Sequence, residues 1–183
     1  MIHHLAITPK NFKVSHEFYT QAMGFKLVKI VKRQAMGGAE AGWTKHVFYS
    51  TGSGLFVLWD LHLTGVNPGD DWDPAISTGL GLPWWINHIA FSVENQEELE
   101  ERKQRLLAYG CTVSQVDHEF IESVYTKDPD GNMVEFTYDK RPLNQQDIDE
   151  AEALLVDDTP ATLPDYAGTL YFPDGRVIEA PSS

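Results

Sequence analysis

Two histidines and one glutamate have the side-chain types and the placement to bind a metal ion. His4 stands in the phrase IHHLAIT, His88 in the similar phrase INHIAFSV, and Glu135 in the apolar run NMVEFT. A glutamate in a buried strand costs several kcal/mol unless a positive group compensates it. Two imidazoles and a carboxylate suit a divalent metal and leave positions open for water, substrate or dioxygen. The sequence therefore predicts a divalent-metal site at His4, His88 and Glu135.

The alternation of side chains along a strand favours His4 over its neighbour as the ligand. His4 shares a strand face with Ala6. His3 shares the opposite face with Leu5, and its equivalent in the second phrase is Asn87. A strand histidine or glutamate taken singly is more often a structural or an exposed residue. The equivalent positions of the two histidines in a repeat are what favour the metal site.

The elements that must position these residues form a repeated β-α-β-β-β unit. After the first phrase, Val14, Phe18 and Ala22 follow at the four-residue spacing of an amphipathic helix. Gly24 and, in the second unit, Gly110 stand where a left-handed residue ends a helix. Three strand-like runs follow each helix. They lie at residues 26–32, 44–50 and 55–61, and again at 112–116, 123–127 and 133–138.

The chain is expected to hold one two-module domain and an extension. The domain covers 1–140, with module one at 1–63, a connecting loop at 64–83 and module two at 84–140. The loop is rich in glycine and proline, as functional lids and linkers often are. Residues 141–183 have no copy elsewhere, and we expect a short helix at 147–155 and a hairpin around 173–175.

Charge and composition exclude several classes of partner. The net charge is −13, and such a surface repels phosphate backbones, so no nucleic-acid partner is expected. The single cysteine, Cys111, excludes an internal disulfide and fits a reducing compartment. We see no signal peptide and no apolar run that could cross a bilayer. These features predict a cytoplasmic protein without a membrane partner.

The repeat and its histidine phrases resemble the vicinal oxygen chelate superfamily. This superfamily includes glyoxalase I, type I extradiol dioxygenases, fosfomycin-resistance enzymes and bleomycin-binding proteins. The resemblance rests on the two Ile-x-His-Leu/Ile-Ala strands and on the run SVYTKDPDGNMVE, which ends at Glu135 and is close to the family's DPDG-x-x-x-E signature. It covers residues 1 to about 140. It implies an α+β fold in which two βαβββ modules pair into an open, barrel-like cup around one metal held by His4, His88 and Glu135.

The ligand set distinguishes the branches of this superfamily. Glyoxalase I generally has a fourth ligand, a carboxylate on the last strand of module one, where this chain has Leu58, and Asp60 lies one pleat further along. Three ligands look more like an extradiol dioxygenase or a fosfomycin-resistance enzyme. The resemblance therefore implies extradiol-type cleavage of a catechol-like substrate with Fe(II) or Mn(II). The alternatives are a glyoxalase I-like lyase or isomerase with Zn(II) or Ni(II), and a non-catalytic binding protein of the bleomycin-resistance type.

Further residues are candidates for roles around the metal. By resemblance, His118 and Tyr125 are candidate catalytic residues, although a loop histidine and a core tyrosine explain them equally well. The candidates for lining the substrate cup are His46, Phe56, Trp59 and Asp60. The expected partner is a small molecule with vicinal oxygens, and the protein is expected to be a monomer or a homodimer.

Overall fold

Ten strands and three α-helices make up the secondary structure in the computed structural model, which describes residues 2–34, 41–64, 71–162 and 167–180. The strands are β1 (His4–Ile7), β2 (Lys26–Gln34), β3 (Ala41–Ser50), β4 (Leu55–Thr64), β5 (His88–Ser92), β6 (Val113–Asp117), β7 (Ile121–Lys127), β8 (Met133–Asp139), β9 (Gly168–Tyr171) and β10 (Val177–Ala180). The helices are α1 (Phe12–Glu17), which continues as a π-helical turn at Phe18–Ala22, α2 (Gln96–Tyr109) and α3 (Gln145–Leu154). A short 3₁₀ turn lies at Thr78–Leu80.

The first sheet has the strand order β1-β4-β3-β2. Strand β1 runs parallel to β4, whereas β3 runs antiparallel to both of its neighbours, β4 and β2. Trp59 on β4 lies opposite His46 on β3, and a bulge after Leu27 brings Val31 of β2 opposite His46 as well. Because residues directly opposite each other point to the same face, Val31, His46 and Trp59 share one side of the sheet.

The second sheet repeats the same order within a longer sheet, β10-β9-β6-β7-β8-β5. The four strands from β5 to β8, which end in β5 at the edge, have the arrangement of β1 to β4, so the predicted α+β fold with two tandem βαβββ modules is confirmed. The extension adds two strands, because β9 pairs antiparallel with β6 and forms a hairpin with β10. Neither sheet closes on itself.

The buried stripe of the first helix differs from the prediction. Val14 is 42% exposed, so the predicted stripe is wrong at that position. The buried residues on this segment are Ser15, Phe18, Tyr19, Ala22 and Met23. Their spacing of three and four residues is that of one helix face, which packs inward, whereas a strict four-residue spacing drifts off that face. The phase of the stripe therefore starts one residue later than predicted.

Two compact units emerge from the contacts within the chain. One comprises Met1–Phe91 with Thr126–Glu135, and the other comprises Ser92–Tyr125 with Phe136–Ser183. The aromatic core of the first unit joins Tyr19 to Phe56 at 4.3 Å and Phe25 to Phe91 at 4.8 Å between ring centroids. Of the predicted loop at 64–83, residues 65–70 lie outside the described residues. No helix in the described ranges combines the length and the apolar character needed to cross a membrane.

Candidate metal centre and ligand cavity

A hydrogen-bonded turn sets the start of the strand that carries Glu135. The Asp128 carboxylate accepts hydrogen bonds from the backbone N–H groups of Asp130 (2.9 Å) and Asn132 (2.8 Å). It also accepts one from the Tyr19 hydroxyl at 2.8 Å. Burial, together with the neighbouring Asp128, raises the pKa of Tyr19 well above its ordinary value, so the hydroxyl keeps its proton and donates. The DPDG turn is thereby tied to the first helical segment, and β8 begins in a defined register.

His88 and Glu135 meet inside the first compact unit. Nε2 of His88 lies 3.2 Å from Oε2 of Glu135, whose side chain is only 4% exposed. Nδ1 of His88 lies 3.2 Å from the backbone carbonyl of Ile86. Because a carbonyl oxygen only accepts, Nδ1 of His88 donates to it, and Nε2 is the nitrogen that faces the carboxylate. The contact between Nε2 and the carboxylate is made either by a second proton on the ring or by a cation that both atoms bind.

His4 lies on the edge strand of the first sheet beside other aromatic rings. Its Nδ1 is 2.8 Å from Nδ1 of His3, which directs Nε2 of His4 away from that neighbour. Its ring centroid lies 6.3 Å from that of His46 and 6.1 Å from that of Phe48. Within the described ranges, no three His, Cys, Asp or Glu side chains form a group that could hold a metal. The structure thus brings together two of the three predicted ligands.

A cavity of about 470 Å³ opens on the face of the first sheet that carries His46. His46 stacks on Trp59, with centroids 3.9 Å apart and planes 9° from parallel. Nε2 of His46 is buried and has no hydrogen-bond partner among the described residues. Burial and the neighbouring His4 lower the pKa of His46, so its ring is neutral near pH 7. The residues lining the cavity are Thr8, Val31, Arg33, Thr44, His46, Trp59 and Leu61.

The other two predicted cup residues lie on the opposite face of this sheet. Phe56 is fully buried in the aromatic core. Asp60 accepts hydrogen bonds from Lys45 Nζ at 2.7 Å and from His62 Nε2 at 3.0 Å. Burial opposes ionisation of Asp60, but these hydrogen bonds outweigh it and its pKa lies below the ordinary value. Strand alternation therefore separates Phe56 and Asp60 from the cavity that His46 and Trp59 line.

The two predicted catalytic residues form a hydrogen-bonded pair in the second compact unit. Nε2 of His118 lies 2.8 Å from the hydroxyl of Tyr125. Strand β7 places Tyr125 opposite Ser114 of β6. His118 follows β6 and closes the turn through its backbone N–H, which donates to the carbonyl of Ile121 at 3.0 Å. A short turn between two paired strands is what brings the imidazole and the phenol together.

The sequence reasoning missed three polar residues that line the cavity. Thr8 directly follows β1, Thr44 lies on β3, and Arg33 lies on β2. The two threonines alternate in step with a histidine already named, since Thr8 is four residues from His4 and Thr44 is two residues from His46. That spacing could have predicted that they share the face of those histidines. No such signal existed for Arg33, because its face depends on the bulge in β2.

Comparisons with known proteins agree on one family. A family profile described as "Glyoxalase/Bleomycin resistance protein/Dioxygenase superfamily" matches residues 1–136. The chain is similar to the protein named Catechol-2,3-dioxygenase of Bacillus subtilis (strain 168), at 25% identity over 134 residues. The matched region is 73% of this chain and 40% of the relative, so the chain spans about two fifths of that protein's length.

Solved structures show the same fold at low sequence identity. A glyoxylase/bleomycin resistance protein/dioxygenase domain from Frankia sp. EAN1pec matches at TM-score 0.50 and 19% identity, covering 76% of this chain and 98% of that one. A variant of the fosfomycin resistance protein FosX from Listeria monocytogenes, complexed with Mn(II) and 1S,2S-dihydroxypropylphosphonic acid, matches at TM-score 0.51 and 18% identity. That match covers 80% of this chain and 96% of FosX. At these identities the likeness concerns the fold.

Proposed function

Because the chain belongs to the glyoxalase/bleomycin resistance protein/dioxygenase superfamily, we propose that it is a divalent-metal enzyme that cleaves a catechol-like diol in the extradiol manner. The observation that carries the proposal is the buried carboxylate of Glu135, whose Oε2 lies 3.2 Å from Nε2 of His88. A metal-binding histidine typically donates its second ring N–H to a backbone carbonyl, as His88 does to Ile86. The sequence relative is itself named for dioxygenation of catechol.

The proposed ligands are His4, His88 and Glu135. Two imidazoles and one carboxylate suit Fe(II) or Mn(II), and they also admit Zn(II) or Ni(II). A bound ion would supply Lewis acidity and open positions for two vicinal oxygens and, in the case of iron or manganese, electron transfer to dioxygen. FosX, which shares the fold, has been crystallised with Mn(II).

His46 and Trp59 are proposed to hold the substrate beside His4. The indole and imidazole planes are nearly parallel and offer a flat wall for an aromatic ring. His118 and Tyr125 are proposed as general acid–base residues, because a proton can be shared between the imidazole and the phenol across their 2.8 Å hydrogen bond.

Metal content and oxygen uptake together test the proposal. Protein purified without oxygen is expected to contain nearly one iron or manganese ion per chain and to consume oxygen when catechols are added. Glu135→Gln is expected to lose both the metal and the oxygen uptake. Glu101→Gln, the same substitution at an exposed carboxylate of α2, serves as the matched control and is expected to lose neither.

Two results would contradict the proposal. Stoichiometric zinc or nickel, with no oxygen uptake after reconstitution with iron or manganese, would favour the glyoxalase-like lyase or isomerase instead. Protein that contains no metal and takes up none on reconstitution would leave a small-molecule binding protein.

A further inference from the structure

The strands of the first sheet carry a charge opposite to that of the whole chain. The net charge of the protein is −13. Strands β1 to β4 nevertheless contain five basic residues and one carboxylate, Asp60. The basic residues are Lys26, Lys29, Lys32, Arg33 and Lys45. A local field of this sign attracts small anions to the sheet.

Strand register places two of these cations on the face that forms the cavity. Lys29 lies opposite Phe48, and Arg33 lies opposite Thr44, so both side chains are on the side of His46. Asp60 lies opposite Lys45 on the other face and binds its ammonium group at 2.7 Å. Among the described residues of these four strands, no carboxylate therefore shares the cavity face. Arg33 lines the cavity, and no carboxylate on this face of the four described strands competes with an anionic ligand for its guanidinium group.

The remaining walls select a flat ligand. Trp59 and His46 are stacked face to face and both line the cavity, so they present flat aromatic rings to it, and Val31 and Leu61 add apolar contacts. The hydroxyls of Thr8 and Thr44 supply neutral hydrogen-bonding groups near the arginine. The volume, about 470 Å³, lies in the range of small-molecule sites. One aromatic ring with a charged substituent satisfies the flat wall and the guanidinium together.

We propose that this cavity binds a small aromatic carboxylate, with the carboxylate on Arg33 and the ring against the Trp59–His46 wall. A guanidinium recognises a carboxylate through two parallel hydrogen bonds. The ring then lies next to His4, whose centroid is 6.3 Å from that of His46. The inference rests on the proposed function only in its last step, which identifies the substrate as a catechol that bears a carboxylate. Binding of the acid itself does not depend on the metal chemistry.

The test compares benzoate with benzamide, which differ in charge and hardly in shape. Ligand-observed NMR titration of the 183-residue chain is expected to show that benzoate binds at least tenfold more tightly than benzamide at low salt. Arg33→Gln is expected to remove this preference and to leave benzamide binding unchanged. Lys32→Gln, a neighbouring cation on the opposite face over Trp43, is the matched control and is expected to keep the preference. Because the side chain of Arg33 is exposed, the substitution is expected to leave the core intact. An unchanged Tm of the variant in thermal unfolding checks this.

Three outcomes would overturn the inference: equal binding of the two ligands, a preference that survives Arg33→Gln, and a preference that disappears in Glu135→Gln. The last would mean that benzoate binds a metal rather than the cavity. Oxygen uptake with 3,4-dihydroxybenzoate tests the proposed dioxygenase function separately. An Arg33-dependent preference for benzoate without oxygen uptake supports the carboxylate site and refutes the dioxygenase. Oxygen uptake with equal binding of benzoate and benzamide supports the dioxygenase and refutes the carboxylate site.

Discussion

Replacing Glu135 with glutamine is expected to abolish metal binding while it leaves the stability of the metal-free protein little changed. Oε2 of Glu135 faces Nε2 of His88 at 3.2 Å, and Nδ1 of His88 already donates to the Ile86 carbonyl. The amide of glutamine has nearly the shape of the carboxylate and carries both a donor and an acceptor. It can therefore hydrogen-bond Nε2 of His88 whether or not that nitrogen is protonated.

The size of the effect follows from the metal. A metal at about 100 times its Kd stabilises the wild type by roughly 2.7 kcal/mol and the variant by nothing. In a chain of 183 residues this corresponds to a difference of about 5–11 °C in Tm. Glu135 is 3% exposed, and without metal the amide keeps a hydrogen bond at this buried position, so the two proteins are then expected to differ by less than about 1 kcal/mol.

Thermal unfolding at about pH 8 measures the stability without metal when EDTA is present and the stabilisation by metal when Mn(II) is present. The variant is expected to melt within about 4 °C of the wild type in EDTA and about 5–11 °C below it with Mn(II). Glu101→Gln, on the exposed face of α2, is expected to follow the wild type in both conditions. A variant that melts far below the wild type in EDTA would refute the expected replacement of the hydrogen bond by the amide. A variant that gains as much as the wild type from Mn(II) would refute Glu135 as a ligand.

Three further predictions concern the elements that hold the sites. Tyr19→Phe removes the buried donor to Asp128 and is expected to lower the free energy of unfolding by about 1.5–3 kcal/mol in urea titrations; an unchanged midpoint would contradict this. The hydrogen bond from Arg141 lowers the pKa of Asp147 to about 2. The stabilisation from this ion pair is therefore fully present above about pH 4 and is lost as the pH falls through about 2. Arg141→Gln is expected to remove this pH-dependent loss of Tm, measured by circular dichroism melts at a series of acid pH values. Gly110 ends α2 at φ +104°, so Gly110→Ala is expected to destabilise the protein by about 1 kcal/mol, measured as a lower denaturation midpoint.

Several features of the fold followed from local sequence signals alone. The repeated histidine phrases predicted two equivalent strands, and the alternation in β5 is as expected, with His88 and Ala90 exposed and Ile89 and Phe91 buried. Gly24 and Gly110 adopt the positive φ angles predicted for helix ends. These predictions hold because they depend on backbone geometry over a few residues, which the local sequence specifies.

Local patterns could not predict which strand positions face the cavity. A one-residue change of register exchanges the two faces of a strand. Phe56 and Trp59 both suited a cup wall by type, yet pairing with β3 puts Trp59 beside His46 and buries Phe56 in the core. The side on which Arg33 lies was equally open, since the bulge in β2 decides it.

The sequence by itself determined the elements of this protein, their repeat and the chemistry of its candidate ligands, because periodicity and turn residues act over short distances. Only the tertiary structure decided that Nε2 of His88 lies beside the carboxylate of Glu135, and that β9 adds to the second sheet beside β6. It also decided that Arg33 shares a cavity with Trp59. Each of these facts joins residues that are distant in the chain, and their pairing depends on strand register and packing, which no short segment encodes.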